Sequence, residues 1–511
     1  MKAFILSIIA CLVTPLFAAV ELADVFNSHM VLQRERIVPV WGTAAAGEVV
    51  TVTFKGQKAS ATADAEGRWE VRLGPEPHGG PFALVARGSN TVELTDVLVG
   101  DVWIFSGQSN APWGTGTPEL LPFAEELMAK TTTVRHGRLA RLSATAEQPE
   151  TSLGGRVVWS LEEPKKSFAL PVFFLYPINL ATGIPQGYVL TARAGTSIEP
   201  WIPLEGYDAV EGLDAFKEQV RILRPGTAEY KAHSEKQFGY LRQWIEQAQL
   251  ADQENQPVPA LDIPPRVHRT RQHQFPTCLY NGSFAPLAPM AIRGVFWYQG
   301  ESNAGDPDYQ RKLMAFTSGI RRNFRSPDAS FFIVQPPPCE WYGLDNARLP
   351  ELWEQQLAFA DADGNSFVAA TGDIGDVKDL HPGGRSKEHI ARRLSNLALK
   401  HLFAQPGIHA EFPRFASSAR EGAQLVLNFK HVDSFVSADG GPIRHFEIAG
   451  TDGRFHPAEA RIDGNRIVVK ADAVTEPVDV RYCWSNVAIP NLHNEAGLPP
   501  YAFRTKRERA R

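Results

Sequence analysis

The sequence predicts an α/β core built on a parallel sheet, with a small β-sandwich domain on either side of it. Three observations carry that expectation. Both ends of the chain alternate apolar and polar residues with period two. The middle alternates short apolar runs with helical stretches, and the pattern changes near positions 98 and 405. A chain of 511 residues is also too long for one ordinary hydrophobic core, so two or three domains are expected.

Residues 1–19 read as an export signal. Lys2 supplies the positive charge, residues 4–12 are almost wholly apolar, and Leu16-Phe17-Ala18 ends in a small residue, so cleavage is expected near Ala18 or Ala19. The apolar run is too short to cross a bilayer, and no other stretch approaches about 18 uninterrupted apolar residues. The mature chain is expected to be secreted or periplasmic, with no membrane span.

Residues 20–98 read as the first sandwich. Val50, Val52 and Phe54 alternate with Thr51, Thr53 and Lys55; Trp69, Val71 and Leu73 alternate with Arg68, Glu70 and Arg72; Asp64-Ala65-Glu66-Gly67 turns the chain between them. Residues 99–404 carry the α/β part. Its strand candidates are 102–105, 187–191, 295–298 and 331–334. Phe238, Leu241, Trp244, Ile245 and Ala248 sit at helical spacing, as do Ile390, Leu394, Leu397 and His401. Strands alternating with helices imply a parallel sheet covered on both faces. A long polar helix pair over 213–254 and a proline-rich stretch over 256–265 suggest a helical insertion at about 206–265. Residues 405–511 return to β: Leu425, Leu427 and Phe429 alternate, Asp463-Gly464 marks a hairpin, and Val478, Val480, Tyr482 and Trp484 alternate again.

Composition excludes some functions. With 43% hydrophobic and 21% charged residues the chain is an ordinary globular protein rather than a disordered one. A net charge of −5 argues against a nucleic-acid partner. Cys11 lies in the leader. Cys278, Cys339 and Cys483 form no disulfide framework and have no metal-ligand spacing, so one bridge or three buried thiols both stay open, and no metal or other cofactor is expected. Oligomeric state is not legible.

In open α/β sheets ligands bind beyond the carboxyl ends of the strands, and three loops there are unusually polar. In Ser106-Gly107-Gln108-Ser109-Asn110, glycine permits a tight turn that lifts Ser109 above the sheet. N–H groups at the start of a following helix would hold an oxyanion. A strand-end serine is more often a turn or cap residue, and no G-x-S-x-G elbow surrounds this one. Asp379-Leu380-His381-Pro382 offers a base, His381, and an orienting acceptor, Asp379, on one loop. Gln299-Gly300-Glu301-Ser302-Asn303 offers amides for an oxyanion hole and Glu301 for a supporting acid role; the plain alternative is a helix cap.

Taken together these loops resemble the sialate O-acetylesterase family within the SGNH-type hydrolases. The resemblance begins at Phe26-Asn27-Ser28-His29-Met30-Val31-Leu32-Gln33-Arg34 and continues through Gly100-Asp101-Val102-Trp103 into the Ser109 loop. It includes Gly195-Thr196-Ser197-Ile198-Glu199-Pro200-Trp201, Leu279-Tyr280-Asn281-Gly282, Gly372-Asp373-Ile374, His381-Pro382, and the endings Gly497-Leu498-Pro499 and Phe503-Arg504-Thr505. It implies an SGNH-like three-layer domain in which Ser109 attacks an acetyl ester and His381 takes its proton. The N–H groups of Ser109 and Gly195 and a side-chain amide would stabilise the oxyanion, Asn303 being preferred to Gln299; Gln108 is a further oxyanion or substrate-binding candidate. Asp379 and Glu301 compete for the acid position, because the superfamily places its acid three residues before the histidine, where this chain has Lys378. Ala111-Pro112 and Arg193-Ala194-Gly195 also depart from the family pattern. The implied partner is an acetylated carbohydrate, with sialic acid suggested by the family's name. Xylan or another glycan is the neighbouring alternative, and a non-catalytic carbohydrate-binding protein is the alternative of another class.

Overall fold

A computed structural model describes residues 19–139, 157–261, 273–344 and 346–505. Residues 1–18, which include Cys11 and most of the expected export signal, and parts of the proline-rich stretch and of the basic C-terminal tail lie outside the described residues. Among those described, no helix is long and apolar enough to cross a membrane.

Among the described residues, the core sheet uses seven strands: β1 (Thr91–Gly107), β2 (Val134–Arg138), β3 (Val158–Leu161), β4 (Gln186–Ala192), β5 (Gly294–Tyr298), β6 (Ser330–Val334) and β7 (Ser366–Ala369). Their order is β3-β2-β4-β1-β5-β6-β7. All neighbours are parallel except β3, which runs antiparallel to β2 at the edge. The fold is therefore mixed α/β, with antiparallel sheets toward both ends of the chain. The four expected core strands are all present; β2, β3 and β7 are additional.

β4, β5 and β6 are buried along their whole length, as a sheet covered on both faces requires. On one face Trp103, Phe105, Phe296, Tyr298 and Phe332 pack with helices α1 (Leu121–Met128), α2 (Ala169–Thr182) and α8 (Arg385–His401). On the other, Ile104, Val295, Trp297, Phe331 and Ile333 pack with residues of α3 (Leu204–Ala209), α6 (Tyr309–Asn323) and α7 (Arg348–Asp363). α8 forms because Ile390, Ala391, Leu394, Leu397 and Ala398 make one apolar stripe, and Lys400 and His401 favour the negative end of its dipole. α2 is apolar almost all round, which suits a helix with ten buried residues, and it stops at Gly183 in the left-handed region.

At the N-terminal end, Val50, Val52 and Phe54 point inward from Val49–Phe54, and Trp69, Val71 and Leu73 from Arg68–Leu73. β1 spans the position where the sequence changes pattern. Its first part pairs antiparallel with Gly79–Arg87, and its last part pairs parallel with β4 and β5. At the C-terminal end, Glu459–Asp463 and Arg466–Lys470 form the hairpin marked by Asp463-Gly464, and Leu425, Leu427, Phe446, Ile448, Val480 and Tyr482 close a core of their own.

Two expectations are sharpened. The polar helix pair is α4 (Asp214–Leu223) and α5 (Ala228–Gln253), the latter capped by the Thr227 side chain. None of its periodic apolar residues is fully buried, however: Leu241, Trp244 and Ala248 are half-buried, while Phe238 is 52% and Ile245 47% exposed. Cys278, Cys339 and Cys483 are buried free thiols, which settles the choice left open between a bridge and three thiols.

Candidate active site

Four strand ends converge on the site. β1 ends at Gly107 and leads to Ser109. β4 ends at Ala192, paired with Gly107, and leads to Gly195. β5 ends at Tyr298, also paired with Gly107, and leads to Glu301. β7 ends at Ala369, before the loop that carries His381. Gly107 is required where it stands. Its φ is +138°, and a Cβ there would lie 2.1 Å from the Tyr298 carbonyl oxygen. The close approach lets Gln108 N–H donate to that carbonyl at 3.0 Å, which fixes the turn presenting Ser109.

The sequence expects a helix directly after Ser109. The structure instead has a turn, closed by Ala111 N–H on the Gln108 carbonyl at 3.0 Å, and α1 begins only at Leu121. Proline at 112 and glycines at 114 and 116 explain why no helix starts there. Any oxyanion donor is thus a turn amide and not a helix terminus. Among the described residues, neither Ser109 N–H nor Gly195 N–H donates to another residue, and Arg193 N–H on the Gly107 carbonyl at 3.0 Å ties the two loops together.

Ser109 and His381, 272 residues apart, are brought together: Ser109 Oγ and His381 Nε2 are 2.6 Å apart, both half-buried. Burial, and after it the neighbouring Lys387 ammonium, push His381 below the ordinary imidazole value, while Asp379 opposes them. Both effects favour the neutral imidazole, the form that can accept a hydroxyl proton.

Asp379 does not hold the ring. It is exposed, and its Oδ1 accepts the backbone N–H of His381 at 2.8 Å, an Asx turn. Among the described residues, no carboxylate lies within ion-pair distance of the His381 ring. The two-residue spacing, unusual for a triad acid, is the spacing of that turn. Glu301 is buried and bonded elsewhere: Asn110 Nδ2 donates to its Oε1 at 2.7 Å. Gln108, with its amide nitrogen turned toward them, donates to Glu301 Oε2 at 3.2 Å and to the Thr196 carbonyl at 3.1 Å. Burial pushes the Glu301 carboxyl up, against the hydrogen bond from Asn110 and the charge of Lys387.

The two amides expected at the oxyanion hole have their donors committed away from Ser109. Asn303 Nδ2 donates to Asp306 at 3.0 Å and faces Glu199 at 3.4 Å, while its Oδ1 accepts from Ile198 N–H and Gln299. Gln299 Nε2 donates to Asn303 Oδ1 at 2.8 Å and to the Thr196 carbonyl at 3.2 Å. Lys312, bonded at 2.6 Å to both Glu199 and Asp306, completes this cluster. Asn303 and Gln299 therefore brace the 195–201 loop against the 299–303 loop.

Sequence reasoning missed Asn110 and Lys387. Asn110 is fully buried; it accepts from Lys387 Nζ at 2.5 Å and donates to the Leu380 carbonyl at 3.1 Å. Its only sequence mark is adjacency to Ser109. Lys387 had a clearer one, for it sits in phase with Ile390, Leu394 and Leu397, a lysine at a core position of an amphipathic helix.

A serine hydroxyl against a neutral histidine, with unpaired amides on two adjoining turns, can perform acyl transfer. The comparisons agree with that class. Residues 271–400 match the family described as carbohydrate esterase, sialic acid-specific acetylesterase. The chain is similar to the sialate O-acetylesterase of Rattus norvegicus, at 29% identity over 94% of each chain, and to that of Homo sapiens, at 26% identity over 73% of this chain and 69% of the human one. Among solved structures it resembles a carbohydrate acetylesterase from Xanthomonas citri, with a TM-score of 0.77 and 28% identity, covering 96% of this chain and all of that one. The chain is a carbohydrate esterase, a carboxylic ester hydrolase. Within that class its similarity is to the sialate O-acetylesterase family.

Proposed function

We propose that the protein is an exported SGNH-type serine esterase that removes O-acetyl groups from carbohydrate, sialic acid being the sugar, with Ser109 as nucleophile and His381 as its base. The observation that carries this reading is the 2.6 Å contact between Ser109 Oγ and His381 Nε2 at the carboxyl ends of parallel strands. Oγ attacks the acetyl carbonyl while its proton passes to Nε2. The tetrahedral oxyanion is accepted by the N–H groups of Ser109 and Gly195. As the ester C–O bond breaks, His381 returns the proton to the departing sugar hydroxyl and leaves an acetyl group on Ser109. His381 then deprotonates a water molecule that attacks this acetyl-enzyme, and acetate leaves as the serine recovers its proton. Asp379 orients the base through its backbone. The names of the mammalian relatives support sialic acid as the sugar, and the Ser109–His381 pair argues against a binding-only protein.

Ser109→Ala should lower kcat for p-nitrophenyl acetate by about a thousandfold or more. Near-full activity in that variant would sink the assignment. Acetate release from acetylated sialosides and acetylated xylans tests the sugar; faster release from xylan would replace sialic acid with the alternative glycan.

A further inference from the structure

The nucleophile loop, the histidine loop and the glutamate loop meet on one side chain, Asn110, to which the reaction above gives no role. Both ends of its amide are engaged. Oδ1 takes Lys387 Nζ at 2.5 Å, and Nδ2 donates to Glu301 Oε1 at 2.7 Å and to the Leu380 carbonyl at 3.1 Å. An ammonium on the oxygen and a carboxylate beside the nitrogen leave the amide one orientation, since turning it over would set donor against donor and acceptor against acceptor.

That orientation reaches the base. The Leu380 carbonyl and the His381 N–H belong to one peptide unit. Asn110 holds its oxygen, and Asp379 holds its N–H at 2.8 Å. The plane from which the imidazole departs is thus pinned at both ends. Beneath it, Lys387 is fully buried on the first turn of α8. Among the described residues, no carboxylate lies within ion-pair distance of its ammonium. Besides Asn110, it faces the rings of Tyr298 at 4.8 Å and Trp113 at 5.4 Å. Packing alone would place an aliphatic side chain there, because burying a lysine without a direct counter-ion is costly.

We propose that Lys387 is a positioning residue for the hydrolysis: through Asn110 it fixes the Leu380–His381 peptide, and so aims His381 at Ser109. This rests on the assignment of Ser109 and His381 given above. The same cation and Asp379 are the charges that act on the base, while Glu301 and Asp379 act on Lys387 and the Tyr298 ring lies 4.8 Å from its ammonium. Burial lowers Lys387 itself to about 7, with Glu301 and Asp379 opposing, so it is charged over the acidic range in which His381 titrates.

The test is Lys387→Met, followed by kcat and KM for p-nitrophenyl acetate from about pH 4.5 to 8, with thermal unfolding as a check on folding. The expected result is a folded enzyme with kcat lowered about 30-fold, KM within about threefold of wild type, and the acid limb of kcat/KM moved to higher pH because the cation that disfavours imidazolium is gone. A folded variant with wild-type kcat overturns the proposal. So does one that is slower but keeps its acid limb in place, because packing alone would then account for the loss. If the single variant does not fold, Glu301→Gln with Lys387→Met removes both buried charges together and is judged by the same two readouts. Failure of both variants to fold also overturns it. Ser109→Ala in the same assay separates the two failures: activity there would remove the nucleophile assignment and the role of Lys387 with it, whereas an inactive Ser109→Ala beside a folded Lys387→Met of wild-type kcat would overturn the role of Lys387 alone.

Discussion

Replacing Asp379 with asparagine separates two ways in which a carboxylate can serve a catalytic histidine. If the carboxylate held the imidazole N–H, asparagine would impose the wrong tautomer and cost about ten-thousandfold in kcat. The structure shows another contact: Asp379 Oδ1 accepts the backbone N–H of His381 at 2.8 Å, at an exposed position. An asparagine oxygen accepts that N–H as well. What is lost is the charge on the acceptor, worth about 1 kcal/mol between a charge-assisted and a neutral hydrogen bond, or about fivefold in rate if all of it is felt in the transition state. Asp379→Asn should therefore keep kcat for p-nitrophenyl acetate within about tenfold of wild type. It should also shift the acid limb slightly to lower pH, because Asp379 is the neighbour that favours imidazolium. Steady-state kinetics from about pH 4.5 to 8 decide the matter. A loss of a thousandfold or more would mean that the carboxylate reaches the ring during turnover, and the backbone account would be wrong.

Other expectations follow from the same geometry. The wild-type acid limb of kcat/KM should have its midpoint below 6.5, since His381 must be neutral to act and burial lowers it; a midpoint above 7 would contradict this. Gly107→Ala should abolish activity and lower the melting temperature, because the added Cβ would meet the Tyr298 oxygen at 2.1 Å with φ at +138°; an active, equally stable variant would refute the strained turn. Asp373 is bonded twice to Arg393, at 2.7 and 2.6 Å, and lies near His493 at 3.4 Å. Asp373→Asn should therefore cost about 3 kcal/mol in urea denaturation, and a loss under 0.5 kcal/mol would show the pair to be dispensable. Burial opposes ionisation of Asp373, but Arg393 and His493 outweigh it and hold the carboxyl at about 2 against an ordinary 3.8. Its contribution to stability is thus present above about pH 4 and is lost as pH falls through about 2, so the variant should show a flatter acid denaturation curve there.

The strands legible in the sequence were those whose burial needs nothing but apolar residues: β4, β5, β6 and the end of β1. β2 was not, because Val134–Arg138 carries Arg135 and His136 into the interior, where His136 meets Glu162 at 3.1 Å and stacks on Tyr188. A polar residue satisfied by a distant partner looks like a loop residue until the partner is seen. α2 shows no stripe because it is apolar all round, and Pro177 lies within it. In the site, the order of motifs pointed to Ser109 and His381, and the fold joins them. Asp379 was legible as a neighbour of the histidine, while its contact with the backbone was not. Asn303 and Gln299 were legible as polar residues at a strand end; which way their amides turn depends on Glu199, Asp306 and Lys312, which no spacing relates to them.

β1 is one uninterrupted strand from Thr91 to Gly107, two residues short of Ser109. Its successive stretches are held by different ladders, an antiparallel one over residues 91–99, a short parallel one over 98–100 and the parallel core ladders over 101–107. Hydrogen exchange along its length reads how the stretches open: protection should rise from the N-terminal ladder toward the core ladders, and equal protection throughout would show that the strand opens as one unit. Local fraying of the N-terminal sheet then has a backbone path to Ser109, and the seam between that sheet and the proposed catalytic centre is drawn in one strand rather than in a linker.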